Sequence, residues 1–260
     1  MKKFKVLTIL KIFLLSILLL LILRLVSTDF MPTMAENKPK IAIVIDDFGN
    51  NQEGSLEMLK LPIKFTGAVM PDMPKSEKEM NLLLENGKEV ILHQPMQAHT
   101  GKVSWLGSSP ILSNMSIKEV ENVFKKNKEQ INKAVGFNNH MGSLITEDRE
   151  KMESILKIAK ESNWFYVDSV TSSKSVAYDV AKSLGVKAVK RDVFLDSTKS
   201  KEKVKQNLRK TIEIAQKKGS ALAIGHVGAE GGKITAEAIL EIYNEYKNDV
   251  EFVYASQLAN

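Results

Sequence analysis

Asp46 and Asp47 stand side by side where an apolar run, residues 41–45, stops. Adjacent carboxylates repel each other, and neither suits the buried end of a strand, so the pair needs a reason. Other groups able to carry protons or ligate a metal close other apolar runs. His93 ends KEVILH, Asn138, Asn139 and His140 end AVGFNNH, and Asp168 sits in WFYVDS. Asp192 and Asp196 lie in KRDVFLD, and His226 ends ALAIGH. Imidazoles and carboxylates together serve two chemistries: they ligate a divalent ion such as Zn²⁺, and they hold and move protons near neutral pH. Each group alone has a structural reading. Asp-Asp-Phe-Gly can be a turn that caps a helix, a strand-end histidine can simply be hydrogen-bonded, and Asn138-Asn139 can form an Asx turn. Recurrence at so many run ends is what favours a shared site.

The elements that must position these groups alternate along the chain. Apolar, β-branched runs at 39–46, 65–70, 89–93, 134–138, 164–168, 186–195, 220–225 and 250–254 are separated by helix-like segments. Ser116 followed by Glu119 forms a capping-box pattern, while Gly87 and Gly219 sit where glycines end helices. Strands alternating with helices predict parallel βαβ units, and seven or eight of them predict an α/β fold of the (β/α) barrel type, complete or slightly open. In such a barrel the C-terminal strand ends share one face, which would bring the polar residues together. The irregular stretch 94–115, with Trp105 and His99, is long enough to expect a functional loop.

Composition narrows the class. The 260 residues are 43% hydrophobic and 26% charged, as in a globular protein. The net charge of +6 is concentrated in residues 1–35, which carry +4, so residues 36–260 hold only +2. That is no footprint for nucleic acid. With no cysteine there is neither a disulfide framework nor a thiolate metal site. Lys2, Lys3 and Lys5 precede an apolar stretch, residues 6–26, long enough to cross a bilayer, with Lys11 able to snorkel. Thr33 and Ala35 offer a small-residue cleavage site. Residues 1–35 are thus expected to be a signal peptide or a membrane anchor, and residues 36–260 an extracytoplasmic domain, anchored or secreted.

At the strand-end residues the chain resembles the divergent polysaccharide deacetylases. IVIDDFG (43–49), ILHQPM (91–96), GFNNHMGS (136–143), VDSVTSS (167–173), RDVFLD (191–196) and AIGH (223–226) appear in that family's order. The resemblance implies a distorted (β/α)7–8 barrel and a bound divalent metal, usually zinc. It implies hydrolytic removal of N-acetyl groups from the amino sugars of a polysaccharide. Asp46 would be the catalytic base and Asp47 a metal ligand. The related superfamily uses a His-x₃-His ligand pair; His93 is present here, but Gln97 occupies the second place. His140 is then the expected second imidazole, ahead of His99. His226 would protonate the departing amine, with Asp168 or Asp192 orienting its ring. Asn138, Asn139 and Trp105 are the expected substrate contacts. Two other readings compete: a glycoside hydrolase using Asp46 and Asp168, and a membrane-tethered metal- or carbohydrate-binding envelope protein without catalysis.

Overall fold

The computed structural model describes residues 11, 13–19, 38–229 and 231–260. The chain forms two compact units, residues 1–37 and 38–260. In the first, residues 13–19 are helical. No helix among the described residues is long and apolar enough to cross a membrane. The span expected at residues 6–26 lies largely outside those residues, as does the cleavage site expected near Ala35.

The second unit is a barrel built of parallel strands. It runs β1 (Lys40–Phe48), α1 (Ser55–Leu59), β2 (Thr66–Val69), α2 (Ser76–Glu85), β3 (Glu89–Met96), α3 (Ile117–Gln130), β4 (Gly136–Met141) and α4 (Arg149–Glu161). It continues with β5 (Phe165–Asp168), α5 (Ala177–Leu184), β6 (Ala188–Lys190), β7 (Val193–Phe194), α6 (Lys201–Lys218), β8 (Ser220–His226), α7 (Gly232–Tyr246) and β9 (Glu251–Val253). The sheet order is β6-β5-β4-β3-β2-β1-β8-β7, and β9 pairs with the start of β1. Every ladder is parallel. Three helices start on a capping side chain, Ser116 on α3, Asp148 on α4 and Ser200 on α6, and Ser116 closes a reciprocal capping box with Glu119.

The two sheet edges, β6 and β7, are consecutive in the chain and separated only by Arg191 and Asp192. The sequence predicts one strand over 186–195; the structure splits it, because the chain must leave β5 and reach β8. Arg191 N–H donates to Asp168 O at 3.0 Å, and Asp192 N–H to Leu222 O at 2.8 Å. Two residues thus bridge the seam where no β6–β7 ladder forms among the described residues. The result is a distorted, incompletely closed barrel.

Alternation along the strands sorts side chains into two cores. Ile41, Ile43, Ile45, Leu92, Phe137 and Tyr166 face the helices. Ala42, Val44, Ile91, Val167, Leu222 and Ile224 fill the barrel interior with Val253 and Ala255. The same parity decides which strand-end residues can meet. Counting along each strand, Asp46, His93, Asn138, His140, Phe194 and His226 fall on the interior face, whereas Asp168 falls on the helix face.

Candidate active site

Strand alternation should send Asp46 inward and Asp47 outward. The structure brings both to one place by a local backbone change. The β1–β2 register shifts between Ile45 and Phe48, and Asp47 adopts a left-handed φ of 70°. An irregularity of this kind re-aims a side chain, at a cost for a residue with a Cβ. The turn is held from below by Glu79 on α2, a buried carboxylate that accepts the N–H of Gly49 and, at 3.2 Å, that of Asn51. No motif in the sequence singled out Glu79.

Register supplies the next pieces. In the β3–β4 ladder His93 stands opposite Asn138, and Pro95 opposite His140. Asn138 and His140, two residues apart, therefore share a face with His93. Asp47 Oδ1 lies 3.3 Å from His93 Nε2 and 3.1 Å from His140 Nδ1, and the two nitrogens are 3.1 Å apart. Donors about 2.0–2.1 Å from one ion, at angles of about 90–110°, stand about 2.8–3.4 Å from each other. The triangle fits a shared cation. Asp47 Oδ1 is also buried with no hydrogen-bond donor of its own. Among the described residues these three form the group of His and acidic side chains able to hold a metal.

The second contacts of the histidines point their lone pairs at this triangle. Asn138 Nδ2–H donates to Asp46 Oδ1 at 2.9 Å, which leaves Asn138 Oδ1 to accept from His93 Nδ1–H at 2.7 Å. His93 Nε2 is then the free acceptor nitrogen. His140 Nε2–H faces the backbone oxygen of Trp105 at 3.4 Å, so Nδ1 carries the lone pair. Fixing the ligating tautomer through the other ring nitrogen is what a metal-binding imidazole requires.

Electrostatics separates the two acids. Burial pushes the Asp46 carboxyl up, and the pull of His93 and His226 does not fully offset it. Burial also acts on Asp47, but the His140 and His93 nitrogens outweigh it and hold that carboxyl well below the ordinary range. For His93 burial works downward, yet Asp46 and Asp47 win and raise it. Protons and a cation therefore compete for the same three atoms.

Across the cleft, His226 N–H and Nδ1 both meet Asp196, at 2.8 Å each, and Thr235 Oγ–H donates to Asp196 Oδ2 at 2.8 Å. Burial lowers the His226 pKa, but the Asp196 contact and the nearby Asp46 charge raise it to about 10. A cleft of about 240 Å³ joins the two halves, with Asp46, Asp47, His93, His140 and His226 among its lining residues.

Several expected roles are filled differently. Neither Asp168 nor Asp192 orients His226; Asp196 does. Asp168, on the helix face of β5, accepts from Val170 N–H at 2.8 Å and Ser175 Oγ–H at 2.9 Å. Asp192 serves the barrel seam, accepting Leu222 N–H at 2.9 Å and facing Lys218 Nζ at 3.4 Å. Asn138 is committed to His93 and Asp46. Asn139 accepts from Tyr166 Oη–H and Ser169 N–H and donates to Met141 O, so its amide braces the cleft wall. Trp105 lies outside the cleft lining, 60% exposed on a 3₁₀ turn (Val103–Leu106). His99 pairs with Glu147 at 3.1 Å, away from the triangle. Gln97 accepts from Ser113 N–H at 2.7 Å and braces its loop.

Comparison with known proteins bears on the same stretch of chain. A family model described as divergent polysaccharide deacetylase matches residues 43–259. The uncharacterized protein YibQ of Escherichia coli (strain K12) is 31% identical over 221 residues, 85% of this chain and 67% of its own. The uncharacterized protein ATU2773 from Agrobacterium tumefaciens C58 superposes with a TM-score of 0.77 at 19% identity, over 88% of this chain and 92% of its own. The family 4 carbohydrate esterase from Streptomyces lividans, solved in complex with acetate, superposes with a TM-score of 0.51 at 11% identity, over 85% and 95%. At such identities the two structural likenesses speak to the fold.

Proposed function

The chain belongs to the divergent polysaccharide deacetylase family, and from that premise we propose that it is a metal-dependent hydrolase that removes N-acetyl groups from the amino sugars of a polysaccharide. The observation that carries the proposal is the convergence of Asp47 Oδ1, His93 Nε2 and His140 Nδ1 within 3.1–3.3 Å. A divalent ion held there, zinc being the usual choice for such donors, would polarise the acetamide carbonyl and supply a water acidic enough to ionise near neutral pH.

The chain's own residues do the rest. Asp46, raised by burial and 3.7 Å from His93, takes the proton of the attacking water. His226, protonated at neutral pH because Asp196 sits on Nδ1, gives a proton to the amine nitrogen as the C–N bond breaks. The products are acetate and a free amino sugar. Acetate in the Streptomyces lividans esterase is consistent with that product class. Two acids with opposite displacements of pKa suit two roles, one as base and one as permanently ionised ligand. A glycoside hydrolase would need a second carboxylate across the cleft, and Asp168 is turned away from it. We also take residues 1–35 to be a signal peptide or membrane anchor, which would deliver the domain outside the cytoplasm to envelope glycans.

The test compares two neighbouring acids. Asp47→Ala should lose metal and acetate release together. Asp46→Asn should keep the metal while release falls by about 10²–10⁴, the scale of a general base. Metal content and acetate from N-acetylglucosamine oligomers and peptidoglycan fragments are the readouts, with zinc or cobalt supplied. Wild-type protein that binds metal tightly and releases no acetate from any of these would favour a tethered binding protein instead.

A further inference from the structure

Arg191 occupies the seam of the barrel and belongs to neither half of the site as described so far. Its backbone N–H bonds to β5, but its side chain does more. Nε–H donates to Ser169 O at 2.7 Å and Nη2–H to Val170 O at 2.9 Å. These two carbonyls belong to the loop that follows β5, and Ser169 and Thr171 from that loop line the cleft. The loop is strained: Val170 has φ 48°, a left-handed conformation that a β-branched side chain rarely adopts and that persists only when neighbours enforce it. Asn139 holds one side of this wall through Ser169 N–H, and Arg191 holds the other.

The same guanidinium sits over the Phe194 ring, its central carbon 3.7 Å from the ring centroid. Phe194 in turn stacks on His226, with centroids 5.9 Å apart and planes 30° apart. Arg191, Phe194 and His226 thus form one continuous pile, and Asp196 pins its far end. Only a planar, multiply donating cation can cap two carbonyls and cover an aromatic face at once. The side-chain contacts of Arg191 go to Ser169, Val170 and Phe194, none of them a member of the metal-binding triangle.

We propose that Arg191 is a positioning residue that acts chiefly on the proton donor: it fixes the Ser169–Thr171 wall and, through the Phe194 ring, the orientation of His226, while it reaches the metal-binding half only indirectly, through the bonds of that wall to Asn138 and Asn139. The catalytic part of this statement rests on the reading of His226 as the proton donor; the structural part does not. A residue that merely stabilised the barrel would act on both halves alike.

The experiment uses the whole chain carrying Arg191→Met, Arg191→Lys or Phe194→Leu. At one fixed pH, the His226 imidazole resonances are followed by NMR with and without zinc, together with amide exchange at residues 169–171, zinc affinity and acetate release. Arg191→Met should displace the His226 resonances and speed exchange at 169–171 by about ten-fold or more, the scale of one charge-assisted hydrogen bond. Zinc affinity should fall by less than about ten-fold and by less than acetate release, since Arg191 reaches the His93 partner Asn138 only through Ser169, whose Oγ accepts Asn138 Nδ2–H at 3.4 Å. Phe194→Leu should displace the His226 resonances in the same direction, and Arg191→Met should add little in that background, as expected for residues in one contact chain. Should Arg191→Met not fold, Arg191→Lys carries the same test, because it keeps the charge and stem but loses the fork. Unmoved His226 resonances, or a fall in zinc affinity matching the loss of acetate release, would overturn the proposal. If wild-type protein releases no acetate, the deacetylase reading fails, while the NMR and exchange arms still decide this one.

Discussion

Replacing Asp196 by Asn tests whether the proton-donor half is built as the contacts suggest. Asn keeps the shape and removes the negative charge, but its single oxygen can accept from only one of the two His226 donors; with that oxygen on the backbone N–H, its NH₂ faces Nδ1 and favours the neutral ring. In the wild type the His226 pKa rises from 6.5 to about 10, a preference for imidazolium of roughly 5 kcal/mol. A hydrogen bond to a charged partner contributes about 1.5–3 kcal/mol, which corresponds to about one to two pKa units. The charges of Asp46, Asp47 and Asp196 itself add to this; the substitution leaves the first two in place and removes the third. His226 in Asp196→Asn should therefore titrate at least about one to two units lower than in the wild type.

An NMR titration of the imidazole in metal-free protein measures this directly, and the high-pH limb of acetate release should move down by a similar amount. The stability consequence has a definite sign. Because the folded pKa lies above 6.5, the contact contributes fully below that pH and fades as pH approaches about 10. The wild type and the variant should thus differ most in melting temperature below pH 6.5 and converge at high pH. A His226 pKa within about half a unit of the wild type would refute the assignment of Asp196 as the charge that holds the proton.

Two further outcomes follow from other contacts. Glu79→Ala removes the one carboxylate oxygen that accepts the N–H groups of both Gly49 and Asn51, so the left-handed Asp47 should be held less well and zinc affinity should fall by about 10–100-fold. Calorimetric titration measures that fall, and unchanged affinity would leave Glu79 with the fold alone. Full-length protein expressed in a bacterium should fractionate with membrane or secreted material, whereas a chain beginning at residue 36 should be soluble; folded full-length protein in the cytosol would contradict the leader.

Much of the fold was legible because strand and helix periods differ, and the polar residues punctuate the strands. The limits are equally physical. Strand ends alone cannot say which side of the sheet a residue faces. Applying alternation would have separated Asp168 from His226, since Val167 and Asp168 must face opposite sides. It would also have favoured Asp196, which follows the inward Phe194 by two. Asp47 breaks the same rule, because a backbone irregularity turns it inward, and nothing in Ile-Asp-Asp-Phe-Gly reveals a positive φ at the second acid as well as at the glycine. Asp192 looked catalytic because the seam between β6 and β7 reads as a continuous run. Glu79 gave no signal at all: a buried glutamate among the polar positions of an amphipathic helix resembles its exposed neighbours.

The replaced histidine can be argued to a test. A His-x₃-His pair would place its second ring at position 97, on the same strand as His93. Here β3 stops at Met96 and Gln97 turns into the loop, its N–H on Ile111 O and its Oε1 on Ser113. The second nitrogen comes instead from the neighbouring strand, where pairing with Pro95 sets His140 on the interior face. Loss of that ring should weaken zinc binding by at least about 10²-fold in His140→Ala, since a primary ligand matters more than a supporting contact. Adding Gln97→His to this variant should not restore affinity, because position 97 is anchored to the loop and its side chain faces Ser113. Recovery to within about ten-fold of the wild type would show that position 97 still reaches the ion, and that His140 is a substitute of convenience rather than the ligand this barrel's register dictates.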